Sequence, residues 1–176
     1  MADETPVVMA LTIEEAIKTK YKEDVDKSAI KECANLINFK IWKYLKSAQD
    51  AEPSVHTEVT PCGMIVKDKR SADGRLIEWK SRITNGGHRT NAEKYGPFER
   101  TSPTAHIDAV LAWLSVMQYR KMKGETCDVP SAYLNASLPP DRKHVMKIKP
   151  LIAKYVCIAD PNAKKFLQPD GSIYVS

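Results

Sequence analysis

Asp128 sits in the stretch CDVPSAYLNA at residues 127–136, and an aromatic ring, Tyr133, follows it after a turn. The spacing predicts a short strand over 126–129, broken at Pro130, with this carboxylate near its end. A carboxylate at a strand end is a hard oxygen donor of the kind that Mg²⁺ selects. With a bulky ring nearby, such a site can hold a metal-bound phosphate and test the sugar attached to it. A plainer reading stands beside this one. Asp ahead of a proline is a good turn former, and Tyr133 next to Leu134 is a good core residue.

Bases form the second chemical feature. Acids collect near the start, at Asp3, Glu4, Glu14, Glu15, Glu23, Asp24 and Asp26, whereas Lys67, Lys69, Arg70, Lys80 and Arg82 crowd one later segment. The net charge of +5 is mild. The clustering is what could neutralise phosphates and draw in a polyanion; a solvated surface is the alternative.

Other chemistries find little support. His56, His88, His106 and His144 have no metal-ligand spacing, and Cys33, Cys62, Cys127 and Cys157 form no C-x-x-C pair. Reduced thiols in a cytosolic setting are expected. No P-loop or dinucleotide fingerprint is present, no apolar run reaches a membrane-spanning length, and the first residues do not read as a signal peptide.

These residues need elements to hold them. Residues 11–27 are polar and helix-prone, a leader or peripheral helix. Ile30, Cys33, Ala34, Ile37 and Ile41 fall at helical spacing, which predicts an amphipathic helix from about Asp26 to residue 38. Residues 39–45 fit helix or strand, and 46–61 read as a loop. Residues 63–87 read as a β-hairpin turning at Asp73-Gly74, with Ile77, Trp79 and Ile83 on one face and Lys80, Arg82 and Thr84 on the other. After a polar loop over 88–103, Thr104 can cap a helix from His106 to Lys121. Its expected buried stripe is Ile107, Val110, Leu111, Leu114 and Met117, and Trp79 and Trp113 are expected in the core. A helical turn at 131–137, a strand at 143–149, a short helix capped by Asp160, an Asp170-Gly171 turn and a strand at 172–175 complete an α+β pattern.

Read in order, these segments resemble the reverse transcriptase of copia-type LTR retrotransposons over roughly residues 28–176. IKECANLINFKIW resembles the family's opening helix. GMIVKDKRSADGRLIEWKSRITNGG resembles its fingers hairpin, TSPTA its Ser-Pro segment, CDVPSAYLNA its first polymerase motif and DGSIYVS a later strand. The chain departs from the family with Ile83-Thr84-Asn85 in place of Leu-Val-Ala and with Pro130 in the first motif. The family's Tyr-x-Asp-Asp motif, source of a further catalytic carboxylate, is absent from these residues.

The resemblance implies the fingers and partial palm of a right-hand polymerase, with a leader at 1–27, a fingers-like part at 28–104 and the start of a palm at 105–176. It implies RNA-directed DNA synthesis by two-metal nucleotidyl transfer with Mg²⁺ or Mn²⁺. Asp128 would be the catalytic metal ligand, with the Val129 carbonyl completing the shell. Lys80 or Arg82 would reach the incoming triphosphate, Tyr133 would block a ribose 2′-hydroxyl, and Ala132 would allow close packing under the nucleotide. Lys67, Lys69 and Arg70 would follow the template backbone. The implied partners are RNA template, DNA primer and dNTP, with RNase H and integrase regions on a longer polyprotein. The implied location is the cytoplasm, a virus-like particle or the nucleus. A non-catalytic transposon-derived remnant, binding nucleic acid or retaining no activity, is the alternative.

Overall fold

The computed structural model describes residues 10–50, 58–86, 105–125, 127–128, 131–135 and 144–176, with the backbone alone at Glu58 and Tyr133. Chain contacts divide it into two units. One draws its described residues from 1–90 and 138–176, the other from 91–137.

The first unit contains a mixed six-stranded sheet, and the architecture is α+β. Its strands are β1 (Ala10–Thr12), β2 (Tyr44–Leu45), β3 (Glu58–Arg70), β4 (Leu76–Asn85), β5 (His144–Ile148) and β6 (Ile173–Val175). Strand order is β1-β3-β5-β6-β2, with β4 also on β3. The β3–β5 pair is parallel and the other ladders are antiparallel. Three helices belong to this unit: α1 (Ile13–Ala16), α2 (Lys22–Asn38) and α4 (Pro150–Ala159); α3 (Ile107–Tyr119) belongs to the other.

Helix α2 begins four residues before the expected Asp26 and runs unbroken across position 27. Glu23 and Asp24 in its first turn complement the positive end of the helix dipole. The buried face is Val25, Ala29, Cys33 and Leu36, while Ile30 and Ile37 flank it. The stripe is therefore rotated from the one expected. Small Ala29 and Cys33 occupy its centre because they let the helix approach the sheet closely. Lys40 takes a left-handed φ of 53° beyond the helix, and Ile41 N–H closes back on the Leu36 carbonyl at 3.4 Å. Residues 39–43 are thus neither helix nor strand.

The hairpin matches its expected form. Gly74 has φ 81°, and Ser71 N–H reaches the Arg75 carbonyl at 2.9 Å. Its first strand, however, starts at Glu58 and not at 63. Pro61 does not break it: proline lacks an N–H, but the Pro61 carbonyl accepts Gly86 N–H at 2.9 Å while the segment pairs in parallel with β5. Gly is required at 86, since a Cβ there would lie 2.8 Å from that carbonyl oxygen.

The expected 143–149 strand is β5, which lies between β3 and β6. Val145 and Ile148, on opposite faces by alternation, are both fully buried. Sequence reasoning missed α4. Pro150 starts it, where the missing N–H costs nothing, and Ile152, Tyr155 and Val156 supply the buried face. This helix lies against α2. Tyr155 Oη donates to Asp26 Oδ1 at 2.5 Å across the junction, and Lys22 Nζ meets Asp26 Oδ2 at 2.6 Å. Burial raises the Asp26 carboxyl's affinity for a proton, but the Lys22 and Tyr155 hydrogen bonds outweigh it and leave Asp26 below its ordinary value. Asp160 caps the following 3-10 helix through Asn162 N–H at 2.9 Å, as its position in the sequence suggests.

In the second unit, α3 (Ile107–Tyr119) appears where a helix is expected, but Ile107, Val110, Leu111, Leu114 and Trp113 are exposed and only Met117 is buried. An apolar stripe is buried only where another element faces it. Among the described residues of this unit the one other element is a 3-10 helix over Ala132–Asn135. Thr104, the expected cap, lies outside the described residues.

Candidate functional site

The β3–β4 ladder decides which cations share a surface. Its register sets Ile65 against Arg82, Lys67 against Lys80 and Lys69 against Glu78. Side chains alternate along each strand, so Lys67, Lys69, Lys80 and Arg82 project from one face. All four are exposed. The opposite face carries Met64, Val66 and Asp68 against Ile83, Ser81 and Trp79, and it packs on α2. Trp79 is half-buried against the core and lies 5.5 Å from the Tyr21 ring. The alternation expected for the second strand therefore holds.

The cations are not equivalent. Lys69 Nζ pairs with Glu78 Oε1 at 3.3 Å. Arg70 Nε donates to Asp68 Oδ2 at 2.7 Å, and its Nη1 reaches the Gly74 carbonyl at 3.2 Å. Arg70 is thus engaged in closing the hairpin end, where the ladder register shifts between Lys69 and Arg70. Lys67, Lys80 and Arg82 form no ion pair among the described residues. Lys67 and Lys80 face each other as like charges, an arrangement that costs the sheet a few tenths of a kcal/mol to about 1 kcal/mol. An anion placed over them would relieve that repulsion.

The carboxylate stands in the other unit. Asp128 is exposed, and Cys127 and Asp128 lie in irregular chain; the strand expected over 126–129 is not formed at these two residues. Short apolar runs such as this carry a weak strand signal, and nearby Pro130 removes a ladder donor. Ser131 takes a φ of 55°, after which Ala132–Asn135 make a 3-10 helix closed by Leu134 N–H on the Ser131 carbonyl at 2.8 Å. Asn135 Nδ2 donates to the same carbonyl at 3.2 Å. The helical turn expected at 131–137 is present over these residues, with Ala132 exposed on it. Val129 and the Tyr133 side chain lie outside the described residues.

The fit to a divalent cation can be judged on the donors themselves. Asp128 offers one hard, solvent-facing oxygen ligand, which suits Mg²⁺, an ion that keeps most of its water. Among the described residues no three carboxylate, histidine or cysteine side chains gather to hold a metal. Asp128 alone would bind such an ion weakly. Three of the four cysteines, Cys33, Cys62 and Cys157, are buried and Cys127 is exposed; all four are free thiols. Among the described residues no helix is long and apolar enough to cross a membrane.

Comparison with family models, curated proteins and solved structures finds no match to this chain.

Proposed function

We propose that this chain is the fingers and the opening of the palm of a copia-type RNA-directed DNA polymerase. The observation that carries the proposal is the register that puts Lys67 opposite Lys80 with Arg82 on the same open face. A sheet gains nothing from accumulating like charge there, whereas a phosphate backbone or a triphosphate gains several charge-assisted contacts. The motif resemblance of CDVPSAYLNA supports the second half of the reading, and the exposure of Asp128 agrees with it.

In this account Lys80 or Arg82 takes the triphosphate of the incoming nucleotide, and Lys67 and Lys69 follow the template strand. Arg70 is the weakest of the named contacts, because its guanidinium already holds Asp68. Mg²⁺ or Mn²⁺, held by Asp128 and the Val129 carbonyl, would supply Lewis-acid activation of the attacking hydroxyl and stabilise the leaving pyrophosphate. Tyr133 would exclude a 2′-hydroxyl, and small Ala132 would allow close packing under the nucleotide.

The remnant reading needs only the hairpin. It is favoured by the cationic face belonging to a unit that has its own buried core. One pair of assays separates the two. Binding of an RNA–DNA duplex across a salt series measures the hairpin, and primer extension by the polypeptide from the full reading frame measures Asp128. Binding without extension leaves the remnant. Finding neither activity removes the polymerase reading and the nucleic-acid-binding remnant, and leaves a remnant without activity.

A further inference from the structure

The charge of the β3–β4 hairpin divides along its length. Toward the turn each cation has an acidic partner. Lys69 Nζ meets Glu78 Oε1 at 3.3 Å, Arg70 Nε meets Asp68 Oδ2 at 2.7 Å, and Arg75 Nε meets Asp73 Oδ2 at 3.0 Å. Away from the turn, Lys67, Lys80 and Arg82 form no ion pair among the described residues. On the face that carries Lys67, Lys69, Lys80 and Arg82, the ladder makes this division abrupt. Its rows, counted from the turn, are Lys69 with Glu78, Lys67 with Lys80, Ile65 with Arg82, and Gly63 with Thr84. Neighbouring rows lie about 7 Å apart, two residues of strand. The first row cancels, the second holds two cations, the third one and the fourth none. Glu78 is the only acid among these rows.

We infer that Glu78 sets the turn-side limit of the phosphate path on this face. The phosphates are held by Lys67, Lys80 and Arg82, and Lys69 is gained only by displacing Glu78. The inference rests on the reading of this face as a nucleic-acid contact and narrows it, since the resemblance places Lys69 and Arg70 on the template path as well. The ion pair itself is no lock. Its side chains are 59% and 46% exposed, and exposed pairs are weak. What limits the path is the carboxylate. A phosphate that took Lys69 would set two negative groups, its own and Glu78, on one ammonium. A phosphate over Lys67 and Lys80 instead meets two ammonium groups and relieves their mutual repulsion. Arg70 is kept off the path in the same way by Asp68. In a polymerase that moves its template past this face, a row without net charge is where the strand is released. A face cationic to its end would hold every phosphate that reached it.

The test is binding of an RNA–DNA duplex by the 176-residue chain across a salt series. The proteins compared are the wild type, Lys67→Gln, Glu78→Gln, Glu78→Asp and the double variant Lys69→Gln with Glu78→Gln. Glu78→Gln frees Lys69. It should tighten binding several-fold near 0.1 M salt and steepen the slope of log affinity against log salt by about one. Glu78→Asp keeps the charge and should bind as the wild type does. The double variant removes a row that carries no net charge and touches no phosphate, so its affinity and slope should also match the wild type. Lys67→Gln should weaken binding and lower the slope by about one. A Glu78→Gln protein that binds like the wild type overturns the inference. So does a double variant that loses affinity and slope, because Lys69 is then a phosphate contact in spite of Glu78. In both cases a weakened Lys67→Gln leaves the nucleic-acid reading of the face standing. A wild type that does not bind, or binding indifferent to Lys67→Gln, overturns that reading and this inference with it.

Discussion

Lys67 and Lys80 stand directly opposite each other across the β3–β4 ladder, two cations paired where the sheet alone would favour opposite charge. Replacing Lys67 by Glu makes that pair attractive. The variant should be more stable than the wild type by up to about 1 kcal/mol in urea denaturation. It should also bind an RNA–DNA duplex more weakly, with the slope of log affinity against log salt falling by about one. A variant that gains stability without losing affinity would separate the hairpin from nucleic acid.

The Asp26–Tyr155 hydrogen bond ties α2 to α4 at 2.5 Å. Tyr155→Phe removes it and should cost about 1–3 kcal/mol at neutral pH, because the acceptor is charged. The pH dependence has a definite sign. The native Asp26 carboxyl sits below its ordinary value, so its contribution is present above the unfolded carboxylate range and is lost as pH falls through the native value. The stability gap between wild type and Tyr155→Phe should therefore shrink in acid. A gap that stays constant to low pH would place the cost in packing.

Thiol chemistry reports the core. Cys33 and Cys62 are fully buried, and burial pushes both thiols up to about 12. Burial also raises Cys157. Iodoacetamide on the folded protein should modify exposed Cys127 first, and the other three only with denaturant, as read by peptide mass spectrometry. Rapid modification of Cys33 or Cys62 would contradict the packing of α2 on the sheet.

Local chemistry made much of the first unit legible. Asp73-Gly74 and Asp170-Gly171 name turns because Gly74 and Gly171 adopt positive φ, at 81° and 78°. The alternation from Ile77 to Thr84 names two faces that the register reproduces. Long-range pairing left no such mark. Nothing near Pro61 announces that β3 begins at Glu58, because the parallel partner that stabilises it is β5, more than eighty residues later. Helix α4 was hidden by its apolar character on nearly every side, which blurs the helical period; Pro150 as a first-turn residue was the available signal. The stripe of α3 was read correctly as a pattern and wrongly as a buried one, because periodicity records a capacity for burial and not the presence of a covering element.

The candidate site was legible unevenly for the same reason. Strand alternation was enough to bring Lys80 and Arg82 together, but only the register adds Lys67 and Lys69 to their face and shows Arg70 turned to Asp68. The chemistry of Asp128 rests on its motif, and no local rule states what a carboxylate in irregular chain will meet.

Primer extension on an RNA template, by the polypeptide from the full reading frame and by its Asp128→Asn variant, tests the polymerase reading most directly. The account predicts Mg²⁺-dependent extension by the wild type and a loss of about two orders of magnitude or more in the variant, since a metal ligand contributes several kcal/mol to the transition state. Duplex binding should be unchanged. Equal extension by both proteins would contradict the account.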